Sequence, residues 1–356
     1  MGLAGMSSVC LIVFVSLDNG NPTLSECRLV RYIKLQVVIG ISMDLRARRY
    51  AVGVDGGATK TVALIGTENG RILGRGESGS SNYHNVGSND ASKAIKSAVS
   101  LARKRASIRE NSADVAVVAL AAMNSSRDLA IARRFVRAAN IAAQVFVVHD
   151  SVAALHASVH GKTGIVVISG TGCMAAGINK AGRYVRAGGW GYIIDDEGSA
   201  YDIGTKALRS AFRTLDGRSP KTRLTNAIRQ KFGVKTLENA SPLIYSEMGI
   251  DDIASLTPLV SRLAPTDAVC REILRNAGVA LAVLACVVAK QLKIEHDRFP
   301  IALVGGTFKA GIYLLQPFRA RVKKDCPRAD VMIMNTEPVH GALDIAVSKL
   351  HGSHRS

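Results

Sequence analysis

The chain has 356 residues, 47% of them hydrophobic, so it is long enough to bury a substantial core and to form two domains. It carries 46 Lys and Arg against 28 acidic residues, and this formal charge of +18 favours anionic partners such as nucleotides, phosphorylated sugars and sugar acids. The few aromatic residues (eight Phe, eight Tyr, one Trp) are not interleaved with the basic clusters, which excludes a base-stacking surface, so no nucleic-acid partner is expected.

The six cysteines are widely spaced and contain no Cys-x-x-Cys pair, so neither a zinc site nor a disulfide framework is indicated. A reducing cytoplasm is therefore the expected location. The apolar run 9–15 is too short to span a bilayer and has no basic residue before it, so no membrane partner is expected. Residues 1–42 form a leader of doubtful structure, which translation starting at Met43 would explain.

The first predicted elements form an antiparallel meander. The small and β-branched run 50–54 in "YAVGVDGGATKT" predicts a buried strand. Strands follow at 61–65 and 71–77, separated by an Asn-Gly turn. The pattern is typical of three strands at one side of a sheet.

A glycine turn follows the first strand. Gly56 and Gly57 are predicted to allow close backbone approach and unusual dihedral angles, so that an anion could contact exposed N–H groups. Asp55 would face such an anion only with a divalent cation or an oriented water between them. The spacing is neither that of the Gly-Lys-Ser/Thr phosphate loop nor that of the three-glycine dinucleotide motif. Alone, the turn could equally be an ordinary hairpin corner.

Helices and strands then alternate, by the spacing of their apolar residues. We predict a helix at 88–105 capped by Ser or Asn, a strand at 114–122, a helix at 127–139 and a strand at 144–150. A strand, a glycine-rich turn and a second meander occupy 164–189, residues 207–291 are mostly helical, and 301–315 contain a strand, a Gly-Gly turn and a helix. This repetition predicts a duplicated α/β fold with two domains facing a cleft, which would place two phosphate turns opposite each other.

Four segments stand in the order and approximate spacing of a known nucleotide site: "VGVDGGATKT", "VVHDSVAAL", "VVISGTGCM" and "ALVGGTFKAG". They resemble the actin-like ATPase and sugar kinase superfamily. More narrowly, "SSNYHNVG" and "GGWGYIIDDEGSAYDIG" resemble the N-acetylglucosamine kinase branch, which also holds activator ATPases of benzoyl-CoA reductase and 2-hydroxyacyl-CoA dehydratase (BadF-type ATPases). The resemblance covers residues 50–350.

The resemblance implies an α/β fold of two ribonuclease H-like (actin-like ATPase) domains of duplicated topology facing an interdomain cleft. We expect residues 43–160, together with a C-terminal helix at about 338–350, to form the N-terminal lobe. Residues 161–337 are expected to form the C-terminal lobe.

The resemblance also implies ATP and Mg²⁺ as cofactors. Asp55 matches a carboxylate that holds Mg²⁺ directly or through water, and magnesium commonly takes only one or two carboxylates. The implied ATP contacts come from two phosphate turns and an adenosine motif: Gly56, Gly57, Thr59 and Lys60; Gly170, Thr171 and Gly172; and Gly305, Gly306 and Ala310. Each of these glycines, taken alone, could be a turn residue.

Asp150 matches the family's catalytic base. It would accept the proton of the sugar hydroxyl that attacks the γ-phosphate, while most of the rate enhancement in phosphoryl transfer comes from positioning and charge neutralisation. Asp150 could also be the N-cap of the helix that begins "DSVAALHA", and the two roles are compatible. His149 is expected to be a packed or solvated strand residue and not a second base.

The implied sugar contacts come from four segments. Asn82 matches an asparagine that hydrogen-bonds sugar hydroxyls, and Trp190 between Gly189 and Gly191 would supply a flat apolar wall. Asp196 matches a carboxylate that binds a sugar hydroxyl, although the acids 195–197 could instead form a metal site or a solvated loop. Cys173 and Met174 stand where similar N-acetylglucosamine kinases have Ser-Asn, so the N-acetylhexosamine preference is open at this site.

These features predict an ATP-dependent kinase of a hexose, an amino sugar or a sugar acid, working as a homodimer. Within the kinase class, 2-keto-3-deoxygluconate is an alternative acceptor. Outside it, the alternatives are an activator ATPase, which needs cysteines for an iron-sulfur cluster, and a non-catalytic sugar-responsive regulator, which usually adds a helix-turn-helix.

Overall fold

The structure is a computed structural model that describes residues 49–108, 113–121, 123, 125–334 and 336–352. The described residues belong to one compact unit of the chain. The leader 1–42 and the predicted start at Met43 lie outside them, so both stay predictions.

The first sheet has five strands in the order β3-β2-β1-β4-β5. Its strands are β1 (Tyr50–Gly56), β2 (Thr61–Thr67), β3 (Ile72–Ser78), β4 (Val115–Leu120) and β5 (Gln144–His149). The predicted meander is confirmed, because β1, β2 and β3 pair antiparallel, and β4 and β5 are added parallel to β1. All six residues of β4 are buried, as expected for a central parallel strand covered on both faces.

The second sheet repeats this plan. Its order is β10-β9-β6-β7-β8, with β6 (Gly164–Ser169), β7 (Cys173–Ile178), β8 (Tyr184–Gly188), β9 (Pro300–Val304) and β10 (Asp330–Ile333). Strands β6 to β8 form the antiparallel meander, and β9 and β10 continue the sheet in parallel. The predicted duplication is confirmed. Strand β10 was not predicted, because four residues that are mostly exposed carry no periodic signal.

Eleven α-helices of the described residues and one 3₁₀ helix connect and cover the sheets. They are α1 (Tyr83–Ala106), α2 (Ser126–Ala138), α3 (Asp150–Val159), α4 (Ala200–Leu215), α5 (Leu224–Lys231), α6 (Ala240–Ser246), α7 (Ile250–Ala254), α8 (Thr257–Leu263), α9 (Ala268–Leu292), the 3₁₀ helix (Gly306–Ala310), α10 (Ile312–Asp325) and α11 (Pro338–Gly352). Helix α9 is long and apolar enough to cross a bilayer, yet much of it is buried in the core of the second sheet.

Helix α1 begins earlier than the sequence indicates. The predicted start lies at Ser88, whereas the helix starts at Tyr83 with Asn82 as its N-cap. Gly87 has φ +77° and ψ 160°, so the chain leaves the helical path there and resumes it at the next residue. A left-handed angle of this kind suits a glycine, and the predicted boundary marks the end of the kink.

Helix α3 packs against both sheets. Its Ala153 lies in a core that contains Leu343 of α11 and Val117 of β4. Its Leu155 lies in a second core, together with Val166 of β6 and Ala302 of β9. The two halves of the fold therefore meet along one helix. The lobe boundaries at residues 43, 160 and 337 stay predictions.

Helix α11 approaches the first sheet very closely. A Cβ placed on Gly53 would lie 2.3 Å from the backbone nitrogen of Leu343 and 2.7 Å from its Cα. Neither backbone can move without opening the core around α11. Gly53 is thus required by packing.

The variant G53A should destabilise the fold, because its methyl group collides with the backbone of α11. We expect the free energy of unfolding to fall by about 1–3 kcal/mol, measured by urea denaturation followed by circular dichroism. The matched control is G79A, since Gly79 is exposed and a Cβ there meets no atom within 4 Å. Equal midpoints for the two variants would show that the approach of α11 is looser than described.

Candidate active site

The carboxyl ends of three parallel strands meet at one edge of the first sheet. Gly56 pairs with Leu120, and Leu120 pairs with His149. The ends of β1 and β5 are therefore two strand spacings apart, about 10 Å. Asp55 and Asp150 belong to these two ends, so long side chains and a bound ligand could bridge them.

The turn between β1 and β2 is held by its neighbours. Gly57 N–H donates to the Lys60 carbonyl (2.9 Å), and the Gly57 carbonyl accepts from Ser81 N–H and the Ser80 hydroxyl, both at 3.3 Å. Thr61 Oγ1 donates to Ser81 Oγ (2.8 Å). Thr59 and Lys60 are exposed at the tip of the turn. The predicted phosphate turn is therefore a braced hairpin.

The reason for the two glycines differs from the prediction. Neither Gly56 nor Gly57 has a positive φ, so unusual dihedral angles are not what this turn requires. A Cβ on Gly56 would lie 2.3 Å from Ser81 Oγ and 2.6 Å from Leu120 Cδ2. At Gly56 the missing side chain makes room for neighbouring protein atoms, and its contact with a phosphate stays a prediction.

Three carboxylates converge beside this turn. Burial first, and then the charges of Asp150 and Glu337, raise the pKa of Asp55 to about 7, and Lys60 opposes this shift. Glu337 is held by Arg75 of β3, with N–O distances of 2.6 and 3.2 Å. This pairing lowers the pKa of Glu337. Sequence reasoning missed Glu337, whose only signal is its position just before the first residue of α11.

Asp150 is the first residue of α3. Its Oδ1 accepts from Ser151 N–H at 2.6 Å and lies 2.6 Å from His149 Nδ1. The N-cap expected at Asp150 is His149 instead, whose Nδ1 lies 3.3 Å from Ser151 N. The N-cap of α3 is therefore one residue earlier than predicted. The Asp150 carboxylate belongs to the first turn of the helix.

A chain of polar contacts joins Asp150 to the second sheet. Ser151 Oγ lies 2.8 Å from His149 Nδ1 and 2.7 Å from the Tyr184 hydroxyl of β8. His149 Nε2 lies 3.4 Å from Nη1 of Arg186, also on β8. The end of β5 therefore contacts the last strand of the other sheet, a link that no motif predicted.

The second phosphate turn lies beside the adenosine motif. Gly170 N–H donates to the Gly172 carbonyl (2.9 Å), and the Gly170 carbonyl accepts from Thr307 Oγ1 (3.3 Å). Gly305 has φ +118°, and a Cβ there would lie 2.1 Å from the Ser169 carbonyl oxygen. Ala310 is buried in the 3₁₀ helix. The structure thus brings these two predicted segments together at one sheet edge.

Thr171 has a partner that the sequence did not indicate. Its hydroxyl donates to Asp251 Oδ1 of α7 at 2.9 Å. A carboxylate therefore stands next to the predicted phosphate turn. Asp251 gives no signal in the sequence, because it lies in a helical segment far from every motif.

The loop after β8 carries an exposed aromatic ring. Trp190 is 55% exposed, and the Arg186 guanidinium lies 5.0 Å from its ring centroid. Gly189 and Gly191 have φ of +79° and +97°, so the tight path of the loop requires them. Trp190 is therefore accessible from solvent, and its contact with a sugar stays a prediction.

The other predicted sugar contacts are less accessible. Asp196 is only 6% exposed and accepts a hydrogen bond from Cys173 N–H (2.8 Å). Burial raises the pKa of Asp196, and the bond from Cys173 opposes the shift. Cys173 and Met174 are buried, which argues against a direct sugar contact. Asn82 Oδ1 accepts from His84 N–H at 3.1 Å as the cap of α1. Sugar contacts at all four stay predictions.

The site therefore consists of two groups linked through β8. Asp55, Lys60 and Asp150 form the first group, and the turns at 170–172 and 305–307 form the second. Tyr184 and Arg186 of β8 contact Ser151 and His149, so they connect the first group to the second sheet, whose strands carry the second group. Asn82 is adjacent to the first turn through Ser81, and no described hydrogen bond joins it to Trp190.

Comparisons with known proteins identify relatives across this whole region. The sequence profile of the BadF/BadG/BcrA/BcrD ATPase family matches residues 52–346. The chain is 32% identical to the N-acetylmuramic acid/N-acetylglucosamine kinase of Clostridium acetobutylicum over 305 residues, covering 85% of this chain and 99% of the relative. It is 29% identical to the N-acetyl-D-glucosamine kinase of Dictyostelium discoideum over 310 residues, covering 83% and 97%.

A solved structure shows the same fold. The structure of a protein from Chromobacterium violaceum assigned as an N-acetylglucosamine kinase superposes with a TM-score of 0.72 and 27% identity, covering 85% of this chain and 99% of that one. The α/β fold of two sheets with duplicated topology and the resemblance to the N-acetylglucosamine kinase branch are confirmed.

The variant D55N should change stability with pH in a defined direction. The pKa of Asp55 is about 7 in the fold against an ordinary value of 3.8, so wild-type stability should fall as pH rises from about 4 to 7. D55N has no ionisable group at this position, so it should not lose stability in this way as pH rises. We expect it to exceed wild type in free energy of unfolding by about 1–4 kcal/mol at pH 8 and to match it near pH 4, by urea denaturation without metal.

The control for D55N is E68Q, which removes an exposed carboxyl from the next turn of the meander. E68Q should follow the wild-type pH profile. If D55N also runs parallel to wild type between pH 4 and 8, the pKa of Asp55 is not raised by burial and by its neighbouring carboxylates as described.

Proposed function

We propose that this chain, which belongs to the BadF/BadG/BcrA/BcrD ATPase family, is an ATP-dependent sugar kinase that acts on a hydroxyl group of an amino sugar. The observation that carries the proposal is the position of Asp55 and Asp150 at the carboxyl ends of β1 and β5, which flank β4 in one sheet. Ser151, next to Asp150, contacts Tyr184 of β8 and so links this edge to the half that holds the glycine turn at 170–172. Both relatives described above are kinases of N-acetylated amino sugars, which supports this acceptor class.

Asp150 would act as the general base. As the sugar oxygen forms its bond to the γ-phosphorus, its proton passes to the Asp150 carboxylate, and the bond from the γ-phosphorus to the bridging oxygen breaks to release ADP. Asp150 is partly exposed, with 23% of its side chain accessible, so a sugar hydroxyl can reach it. The start of α3 fixes its position.

The residues around Asp55 fit a magnesium ion. The pKa of Asp55 is raised first by burial and then by the charges of Asp150 and Glu337, and Lys60 opposes the shift. These three carboxylates gather negative charge in one place. A divalent cation would neutralise it, and Mg²⁺ needs only one or two carboxylates in addition to water and phosphate oxygens. Asp55 is the residue that we expect to hold it. The ion would supply charge neutralisation for the phosphates of ATP.

The remaining contacts divide between ATP and the sugar. Thr59, Lys60 and the turn at 170–172 are proposed to contact phosphates, and Gly305, Gly306 and Ala310 are proposed to contact adenosine. Trp190 would form the wall of the sugar site, since its ring is exposed and lies next to Arg186. The homodimer and the cytoplasmic location stay predictions.

The variant D150N should abolish turnover, because an amide cannot accept the hydroxyl proton. We expect kcat to fall by about 10²- to 10⁴-fold, with ATP affinity within about threefold of wild type. The assay is ADP release with N-acetylglucosamine, N-acetylmuramic acid, glucosamine, glucose and 2-keto-3-deoxygluconate, and calorimetry measures ATP binding. D90N, on the exposed face of α1, is the matched control.

Two outcomes would count against the assignment. If D150N keeps a tenth or more of the wild-type rate, Asp150 is not the base. If wild type releases no more ADP with any of these sugars than without sugar, the kinase proposal itself fails.

The variant W190A should weaken sugar binding selectively. Removing the ring deletes the proposed wall of the sugar site and none of the proposed ATP contacts, so the KM for the sugar should rise by about tenfold while the KM for ATP changes less than about twofold. Steady-state kinetics with either substrate varied gives both values. I194A, which truncates a side chain 81% exposed in the same loop, is the control. A larger change in the ATP constant would mean that the ring is structural.

A further inference from the structure

The first turn of α1 is set apart from the rest of the helix. Gly87, with φ +77° and ψ 160°, interrupts the helical path directly after this turn, which consists of residues 83–86. Every buried residue of α1 follows the interruption, beginning with Ala91. The body of the helix is therefore fixed by its own core contacts, whereas the first turn has to be held in another way.

Tyr83 holds this turn against α2. Its hydroxyl donates a hydrogen bond to Oδ1 of Asp128, and its ring centroid lies 5.9 Å from that of Phe135. A hydrogen bond to a carboxylate is stronger than one between two neutral groups. Burial, followed by this hydrogen bond, raises the pKa of Tyr83 to about 12, so the hydroxyl keeps its proton at neutral pH.

Asp128 is itself fixed by the start of α2. Its Oδ2 accepts from the Ser125 N–H at 2.9 Å and from the Ser125 hydroxyl at 2.8 Å, while its own N–H donates to Ser125 Oγ at 3.1 Å. These bonds form the capping box of α2. The bond from Tyr83, and then those from Ser125, lower the pKa of Asp128 against the effect of burial. Tyr83 therefore binds an ionised group that cannot move freely.

Asn82 lies between this contact and the first phosphate turn. Its backbone N–H donates to Ser80 Oγ at 3.2 Å. The next residue back, Ser81, donates its N–H to the carbonyl of Gly57 at 3.3 Å. The chain is thus attached to the β1–β2 turn before Asn82 and to α2 directly after it.

The cap of α1 decides which amide atom of Asn82 is available to a ligand. The His84 N–H is a donor, so the side-chain atom of Asn82 that lies 3.1 Å from it must be the amide oxygen. The amide nitrogen Nδ2 is then directed away from the helix. Among the described residues no hydrogen bond uses this Nδ2, so it can donate to a sugar hydroxyl.

We infer that Tyr83 is a positioning residue for Asn82: its bond to Asp128 fixes the turn from which the Asn82 amide reaches the sugar. This inference rests on the proposed kinase function and on the sugar contact predicted at Asn82. Helix α2 would then shape the sugar site without contacting the sugar. Because the attachment to the β1–β2 turn does not depend on Tyr83, losing the Tyr83 bond should affect the sugar more than ATP.

The variant Y83F removes the hydroxyl and keeps the ring. We expect the KM for N-acetylglucosamine to rise about 5- to 20-fold, with kcat and the KM for ATP within about twofold of wild type, because a binding contact and not the base is displaced. One control is Y245F, which removes a hydroxyl from a residue that is 90% exposed. The other is S125A, which weakens the capping box but leaves the partner of Tyr83 in place. Both controls should stay within about twofold of wild type.

A double-mutant cycle tests whether Tyr83 acts through Asn82. The variant N82D keeps an oxygen to accept from His84 N–H and loses the donor Nδ2, so it should raise the KM for N-acetylglucosamine about tenfold or more. In the N82D background, Y83F should add less than about a further twofold, because the contact that Tyr83 positions is already absent.

Hydrogen exchange tests the anchor without any assay of activity. The amides of residues 84–86 all donate to oxygens of Asn82, so their exchange reports whether the first turn is formed. We expect them to exchange about tenfold faster in Y83F than in wild type or S125A, while the amides of residues 91–103 are unchanged. Thermal melting confirms that each variant is folded.

The outcomes separate this inference from the proposed function. An unchanged sugar KM in Y83F or N82D, fully additive effects in the double mutant, or unchanged exchange of residues 84–86 would each overturn the inference. If wild type phosphorylates no sugar, the proposed function fails and the positioning role falls with it, while hydrogen exchange still decides whether Tyr83 anchors the turn. A selective rise in the sugar KM together with faster exchange supports the positioning role.

Discussion

The packing of α3 between the two sheets is the contact on which the rest of the site depends. Ala153 faces the core shared with α11, and Leu155 and Val159 lie in the core of the second sheet. Full burial of an aliphatic side chain of this size contributes about 1.5–3 kcal/mol, so the helix is held firmly on both sides. Because α3 begins at Asp150, the same packing places the carboxylate of Asp150, the proposed base, where the end of β5 contacts β8.

This position brings acidic groups together at a cost in stability. The pKa of Asp55 is raised first by burial and then by the charges of Asp150 and Glu337. Arg75 neutralises Glu337, and Lys60 offsets part of the remainder. Excess negative charge of this kind favours a cation and the proton of an incoming hydroxyl. The fold therefore retains an electrostatic strain that ligand binding would relieve, as is common at functional sites.

Much of the fold was predictable from the sequence because its signals are local. Apolar runs bounded by glycines located the meanders, and their repetition predicted the two equivalent sheets. The exceptions have local causes as well. Gly87 kinks α1, so the predicted start of the helix coincided with the part that follows the kink. Strand β10 is too short and too exposed to give a periodic pattern in the sequence. Asp55 and Asp150 were predicted as site residues from the resemblance of their segments to the sugar kinase superfamily, and the charge of Asp150 acts on Asp55 in the structure.

The sequence by itself determined the order of strands, the turns at their ends and the acidic and glycine residues at those turns, because each depends on neighbours a few positions away. Only the tertiary structure decided that Glu337 lies near Asp55, that Arg186 faces His149 and that Asp196 is buried. These are contacts between residues far apart in the chain, set by how α3 and α11 pack. Local composition carries no information about which distant charge will lie beside a given carboxylate.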